Sequence, residues 1–192
     1  MSDWKNRLVN RLEPVLREAD PRANISSYHD MPYAIFQYAP EDEFDLRSEL
    51  TLLKTRLEQI GKRVTVISLA QCLNEALKRE RLSIKRIEAA EKLTGIEKMA
   101  DTMLEILSAR QPLDQLVAEQ IPEGSDPCVD VVLLIRAGAL FPFYRTSSLL
   151  EQLKGKIHVP SVLFYPGDLE GPAGLRFMSV LDAEHNYRPK IF

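Results

Sequence analysis

The stretch VDVVLLI at Val129–Ile135 is the strongest indicator of the fold, because the five residues 131–135 are all apolar. A strand that is apolar on both faces belongs inside a parallel sheet whose two faces are covered by helices. Shorter apolar runs at 33–38, 64–67 and 161–165 predict three further strands. The sequence therefore predicts a sheet that is enclosed by helices on both sides.

Segments with helical periodicity separate the predicted strands. One amphipathic helix is predicted at about 3–19, where it packs on the domain, and another fills the interval between the first two strands. The segment at about 83–120 has only helical periodicity and is predicted to be an insertion between the second and third strands. Strands that alternate with helices form parallel βαβ units. We therefore expect residues 1–192 to form a single α/β domain with a three-layer, doubly wound, mainly parallel sheet.

The turn after the first predicted strand argues against a nucleotide cofactor. Rossmann-like and P-loop-like folds bind phosphate with backbone N–H groups of a glycine-rich turn. Here that turn is Ala39–Asp42, in which Pro40 has no N–H and two carboxylates would repel a phosphate. We therefore expect a Rossmann-like or P-loop-like fold without a phosphate loop, and no cofactor.

Composition indicates a cytoplasmic protein. The formal net charge of −3 gives no general reason to bind nucleic acid or an anionic membrane, and no apolar run reaches about 20 residues. Cys72 and Cys128 lie far apart and are predicted to be reduced, buried thiols. These observations predict a location in the cytoplasm with no membrane partner.

Catalytic and metal-binding motifs are absent from the sequence. The three histidines are scattered, and no GxSxG or HExxH motif is present. Acidic residues at 41–45 and the group Asp182, Glu184 and His185 could supply metal ligands, but neither has a recognised ligand spacing. We therefore predict no catalytic, cofactor or metal site.

A basic stretch at 78–92 holds six cations against three anions. Helically spaced cations could contact a nucleic-acid backbone. The stretch has no interleaved aromatic residues for base stacking, so a solvated helix face is the favoured interpretation.

The C-terminal region has the most unusual composition. Residues 165–177 hold three of the eight glycines and two of the twelve prolines. They are predicted to form a glycine- and proline-rich loop after the fourth strand, which continues as a strand at 175–178. Such loops often present binding surfaces, although positions that need a positive φ explain the glycines equally well. Arginines suit carboxylates or phosphate, and aromatic residues suit interface centres. The candidate partner-binding residues are Gly167, Gly171, Gly174, Arg176, Phe177, Tyr187 and Arg188. The alternative is that the tail packs on the sheet, with its arginines paired to acids such as Asp182 or Glu184.

Two segments together resemble a known family. One is YAIFQYAPEDEF at 33–44, followed by a helix and GKRV at 61–64. The other runs from 165 to 178 and ends in NYRPKIF at 186–192. This pairing resembles the BrxB family of bacteriophage exclusion (BREX) systems over the whole length of the chain.

The resemblance implies a component of a multi-gene phage-defence system. Other members of such systems resemble a DNA methyltransferase, a large ATPase and the alkaline-phosphatase-like protein PglZ. The family has no established catalytic residues, so no active site is carried over. We expect a non-enzymatic assembly or adaptor protein that binds PglZ or the ATPase. The alternatives are a nucleic-acid-associated module of the same complex and, third, an unrecognised or degenerate hydrolase.

Overall fold

A mainly parallel sheet lies at the centre of the computed structural model, which describes residues 3–26, 32–171, 174–185 and 189–192. In the described residues the sheet has the order β2-β3-β4-β1-β6, with all these pairs parallel, and β5 pairs with β4 in the antiparallel direction. The strands are β1 (Tyr33–Tyr38), β2 (Arg63–Ser68), β3 (Asp130–Ile135), β4 (Ser161–Glu170), β5 (Gly174–Phe177) and β6 (Lys190–Ile191).

Helices connect these strands. They are α1 (Asp3–Arg7), α2 (Glu13–Leu16), α3 (Arg22–Ile25), α4 (Glu43–Glu58), α5 (Leu69–Arg79), α6 (Ile84–Thr94), α7 (Ile96–Glu105), α8 (Leu113–Ala118) and α9 (Thr146–Gln152). A π-helical turn at Leu8–Leu12 joins α1 to α2, and another at Ile106–Arg110 extends α7. Ser68 caps α5, and its side chain accepts a hydrogen bond of 3.3 Å from the Gln71 amide.

The strand order explains why helices cover both faces of the sheet. From β1 the chain crosses to the far edge at β2 and then returns through β3 to β4, beside β1. Right-handed crossovers in opposite directions place their helices on opposite faces. Accordingly, α1, α2, α3 and α4 pack on one face, whereas α5, α7, α8 and α9 pack on the other. This arrangement confirms the doubly wound α/β class and the helical insertion.

The apolar stretch that predicted the fold is buried on both faces of the sheet. Val131 and Leu133 pack in the core beneath α4, whereas Val132 and Leu134 pack in the core beneath α5. β3 lies between β2 and β4, and none of these four side chains is more than 1 % exposed. The prediction of a buried internal strand is confirmed.

The N-terminal helical segment supplies much of the core beneath α4. Trp4, Leu8, Leu12 and Leu16 are buried there with four leucines of α4, because their regular four-residue spacing keeps them on one side of the helical segment. The helix ends at Leu16, three residues before the predicted end.

Two local predictions are wrong. The stretch after Tyr165 is not a loop, since β4 continues to Glu170 and forms a hairpin with β5. Its glycines allow the two strands to approach closely. A glycine-rich composition is more often typical of a loop, and for that reason the sequence predicts one here. Cys128 is exposed, because it lies in the turn before β3, where the burial pattern of the strand does not apply. Cys72 is buried, as predicted.

A buried carboxylate links α2 to α4. Glu13 is 4 % exposed and accepts hydrogen bonds from the guanidinium groups of Arg56, at 2.8–3.1 Å, and Arg17, at 2.7–3.1 Å. Burial by itself raises the pKa of Glu13, but these charged hydrogen bonds outweigh it and hold the pKa below the usual value of 4.5.

We expect Glu13→Gln to lower the free energy of unfolding at pH 7 by about 2 kcal/mol, because two guanidinium groups lose their charged partner. A carboxyl group with a lowered pKa in the folded state stabilises above its unfolded pKa, and this contribution disappears as the pH falls through the folded value. The difference between wild type and variant should therefore shrink between about pH 5 and pH 3 in urea titrations. Glu58→Gln, which changes an exposed pair with Lys54 at 3.7 Å, is the control. An equal loss at pH 3 and pH 7 would contradict the assignment.

Candidate functional site

A cleft opens at the edge of the sheet where the first, third and fourth strands approach their carboxyl ends. In doubly wound sheets, ligands bind beyond the carboxyl ends of the strands, at the point where helices leave toward opposite faces. Here α4 follows β1 toward one face, and the segment after β3 lies on the other. The cleft has a volume of ≈ 260 Å³ and is lined by Pro40, Glu43, Phe44, Arg47, Arg136, Gly138, Ala139, Pro166 and Met178.

Two arginines contribute positive charge to this cleft. Arg136 directly follows β3 and is half-buried, and Arg47 is on the first turns of α4. Within the described residues, neither guanidinium group has a carboxylate partner, although Arg47 lies 5.8 Å from the centre of the Phe44 ring. The cleft therefore contains two cations that form no ion pair with a described carboxylate.

One carboxylate also lines the cleft. Glu43 accepts a hydrogen bond from the hydroxyl group of Tyr38, which is buried at the end of β1. Burial, followed by the hydrogen bond to Glu43, raises the pKa of Tyr38 well above its usual value. The tyrosine therefore stays protonated and holds the carboxylate of Glu43 in place.

Sequence reasoning identifies only part of this cleft. Arg136 directly follows the third predicted strand, and Glu43 is one of the acidic residues at 41–45. No sequence motif marks Phe44 and Arg47 as functional residues. Glu43 and Arg47 are four residues apart on one helix, so they share a face. That spacing is the one signal in the sequence that could have placed Glu43 and Arg47 in the same site. The position of Arg136 beside them depends on the order of the strands in the sheet.

An apolar groove lies on the side of the helical insertion. It has a volume of ≈ 330 Å³ and is lined by residues of α5, α6, α7 and the segment after β3, among them Leu73, Leu77, Ile84, Ile87, Ile96, Met99, Pro142 and Phe143. Ile84 is 75 % exposed and Ile96 is 62 % exposed. α6 has no buried residue at all. The floor of the groove, which includes Leu77, belongs to the core beneath α5, whereas Ile84 and Ile96 leave apolar surface open at its edge.

The three candidate glycines lie in the β4–β5 hairpin. A Cβ atom on Gly167 would lie 2.0 Å from the carbonyl oxygen of Arg176, and one on Gly174 would lie 2.4 Å from that of Glu170. Gly171 has a φ of +65° at the end of the hairpin and no atom within 4 Å of its Cβ position. Close strand approach therefore accounts for two glycines and a turn for the third, and their role in partner binding stays a prediction.

The other C-terminal candidates lie in different environments. Phe177 is 4 % exposed and its ring packs 5.4 Å from that of Tyr165. Arg176 is half-buried and lies 3.8 Å from Glu170, while Glu184 pairs with Arg145 at 2.7 Å. Tyr187 and Arg188 lie outside the described residues. The interface role of these residues stays a prediction.

The last described residues pack on the sheet. β6 pairs with β1, and Phe192 is buried beside Phe36 in the core beneath α4. Arg7 donates hydrogen bonds to the carbonyl oxygens of Phe192, at 2.7 Å, and of Gln37, at 2.9 Å. This part of the tail therefore agrees with the packing alternative.

The basic stretch is divided between paired and unpaired cations. Arg79 pairs with Glu119 at 2.9 Å, and Lys92 pairs with Glu88 at 2.7 Å. Lys78, Arg81 and Lys85 have no carboxylate partner in the part of the chain that the structure describes. The unpaired cations cluster around the turn between α5 and α6.

No group of three or more histidine, cysteine, aspartate or glutamate side chains among the described residues could hold a metal ion. Likewise, no described helix has the length and apolar character needed to cross a lipid bilayer.

Comparison with known proteins decides the family. The family model described as "BREX protein BrxB" matches residues 65–191, from β2 through the helical insertion to β6. The chain belongs to the BrxB family. A curated BrxB, the "BREX protein BrxB" of Bacillus cereus (strain H3081.97), is 25 % identical over 185 residues, which cover 95 % of this chain and 94 % of that protein. No solved structure gives a significant match.

BrxB membership confirms the resemblance that is based on the segments at 33–64 and 165–192. It identifies the chain as a component of BREX phage defence. Both the cleft and the apolar groove include residues of the region that the BrxB model matches.

Proposed function

We propose that this BrxB-family chain is a non-catalytic assembly component of its BREX system and binds another protein of that system through the apolar groove between α5, α6 and α7. The observation that carries the proposal is the exposure of the groove's apolar side chains. Ile84 and Ile96 begin α6 and α7, and both have most of their surface in water. Contiguous exposed apolar surface that is rimmed by polar residues is typical of protein interaction sites.

The proposed occupant is an amphipathic segment with an apolar stripe and acidic flanks. Helices bind apolar grooves through residues spaced three and four apart, and this groove is itself walled by helices. The unpaired cations Lys78, Arg81 and Lys85 lie around the α5–α6 turn, close in sequence to the groove residues Leu77 and Ile84. Acidic residues beside the apolar stripe would complement them. PglZ and the large ATPase are the candidate partners.

We expect Ile84→Asp to abolish co-purification with other BREX proteins and to reduce protection against phage. A carboxylate in the groove must lose its water when the partner binds, which costs several kcal/mol unless it finds a partner of its own. Folding should be unaffected, since this side chain already lies mostly in water. The measurements are pull-down from cells that carry the full operon, followed by phage plaquing.

Leu93→Asp is the matched control for this experiment. Leu93 is on the same helix and is 86 % exposed, but it does not line the groove. It should retain both co-purification and protection. Equal loss in the two variants, or full binding by Ile84→Asp, would contradict the proposed docking surface.

A nucleic-acid-associated role is the alternative. It is favoured by the cations around the α5–α6 turn that have no carboxylate partner among the described residues, Lys78, Arg81, Lys85 and Arg86. Nuclease treatment separates the two proposals. Association that survives nuclease and depends on Ile84 supports a protein adaptor. Association that disappears with nuclease and depends on Lys78 and Lys85 supports a nucleic-acid contact, because phosphate binding depends on positive charge.

A further inference from the structure

The cleft at the carboxyl edge of the sheet is separate from the helical walls of the groove and has its own chemistry. Its two cations come from distant parts of the chain, Arg47 from α4 and Arg136 from the end of β3. Arg47 is exposed, whereas Arg136 is half-buried. A half-buried guanidinium group gives up part of its hydration and gains most when it binds an oxyanion. No ion pair joins either arginine to a carboxylate of the described residues, although Glu43 lines the same cleft, so both guanidinium groups can accommodate an external anion.

The backbone of the cleft is held in unusual conformations. Arg136 has a φ of 61° and Met178 has a φ of 54°, so both residues lie in the left-handed region. This region is energetically unfavourable for residues other than glycine. Strain of this kind persists where the surrounding structure enforces it, and it concentrates at ligand sites. Here the left-handed conformation of Arg136 ends the extended backbone of β3, and Arg136 lines the cleft.

Apart from the carboxylate of Glu43, the remaining walls are apolar. Pro40, Pro166 and Met178 line the cleft, and the ring of Phe44, 76 % exposed, stands at its margin. An exposed aromatic ring beside a guanidinium group suits a flat or apolar body that follows an anionic head. The volume of ≈ 260 Å³ lies below the roughly 300–1,000 Å³ of sites for drug-sized ligands. The ligand must therefore be small.

The charges in the cleft select among oxyanions. A carboxylate has two oxygens and satisfies one guanidinium fork, whereas a phosphate monoester has three oxygens and about two negative charges. Two arginines therefore match a phosphate monoester better than a carboxylate. A triphosphate would bring further negative charge toward Glu41, Asp42 and Glu43, at the end of β1.

We propose that the cleft between Arg47 and Arg136 binds a small phosphate monoester, with the phosphate on the two guanidinium groups and an aromatic or apolar body against Phe44. This site adjoins the proposed docking groove, with which it shares Ala139, but its two arginines do not line that groove. It adds a small-molecule ligand to a chain for which no cofactor is predicted.

The test is calorimetric titration of the full chain with phenyl phosphate at low ionic strength, with benzoate and inorganic phosphate as comparison ligands. Phenyl phosphate should bind more tightly than either, because only it combines the phosphate with a ring. Arg47→Ala and Arg136→Asn should each weaken binding about tenfold, the loss of one charged hydrogen-bonding group. Asparagine is chosen because it tolerates the left-handed conformation of Arg136. Glu43→Gln should tighten binding, since it removes a repelling charge and keeps an acceptor for Tyr38.

Arg11→Ala is the control, because Arg11 is exposed on the N-terminal helix and does not line the cleft. It should bind phenyl phosphate as the wild type does. The proposal is overturned if titration to 10 mM phenyl phosphate, about the weakest binding of interest, produces neither heat nor a chemical-shift change. Unchanged affinity in Arg47→Ala and Arg136→Asn would also overturn it. Benzoate binding as tight as that of phenyl phosphate would overturn the choice of phosphate.

Discussion

Replacing Leu134 by aspartate is expected to leave little folded protein. Leu134 is 1 % exposed in the middle of β3, between two parallel neighbours and beneath the helices of the insertion. The substitution places an unpaired carboxylate in an apolar core, at a cost of several kcal/mol against a total stability of roughly 5–15 kcal/mol. The measurements are the soluble fraction after expression and the melting transition followed by circular dichroism.

Val66→Asp is the matched control, since it introduces the same charge on the sheet. Val66 lies on β2, which pairs with β3 alone in the described sheet, and its side chain is 37 % exposed. We expect it to remain soluble with a small loss of stability, about 1 kcal/mol. A soluble Leu134→Asp protein with a cooperative transition near that of the wild type would refute the role of β3 as a buried internal strand.

Replacing Gly167 by alanine is expected to destabilise the protein by about 2–4 kcal/mol. The new methyl group would lie 2.0 Å from the carbonyl oxygen of Arg176 and 2.9 Å from the Tyr165 ring, so the two strands of the hairpin must separate. Phe177 pairs with Gly167 in the ladder and is buried against Tyr165, at 5.4 Å, and Phe141, at 6.1 Å. Strand separation would therefore also withdraw an aromatic side chain from the core.

Gly171→Ala provides the comparison for this prediction. Its Cβ atom would meet nothing within 4 Å, so only the φ of +65° opposes the substitution. We expect a loss of about 1 kcal/mol, the cost of the left-handed conformation. Both free energies are measured by urea unfolding. Equal effects of the two substitutions would contradict the close packing of β4 against β5.

The elements of this fold follow from local patterns in the sequence. Four strands and the helices between them are predictable because apolar residues recur at the spacing of a helix or fill a short buried strand. The motifs at 33–64 and 165–192 also indicate the family by themselves. These signals are local, since propensity, capping by Ser68 and the face of α4 depend on residues within a few positions of one another.

The arrangement of the elements depends on contacts between distant residues. The pairing of β1 with β4 and β6, the hairpin around Gly167 and the exposure of Cys128 are not readable from the sequence. The cleft is the clearest case. Glu43 and Arg47 share a helix face at a spacing of four, but Arg136 joins them only because β3, β4 and β1 lie in consecutive order. Strand order is set by the joint burial of two cores, a property of the whole chain rather than of any segment.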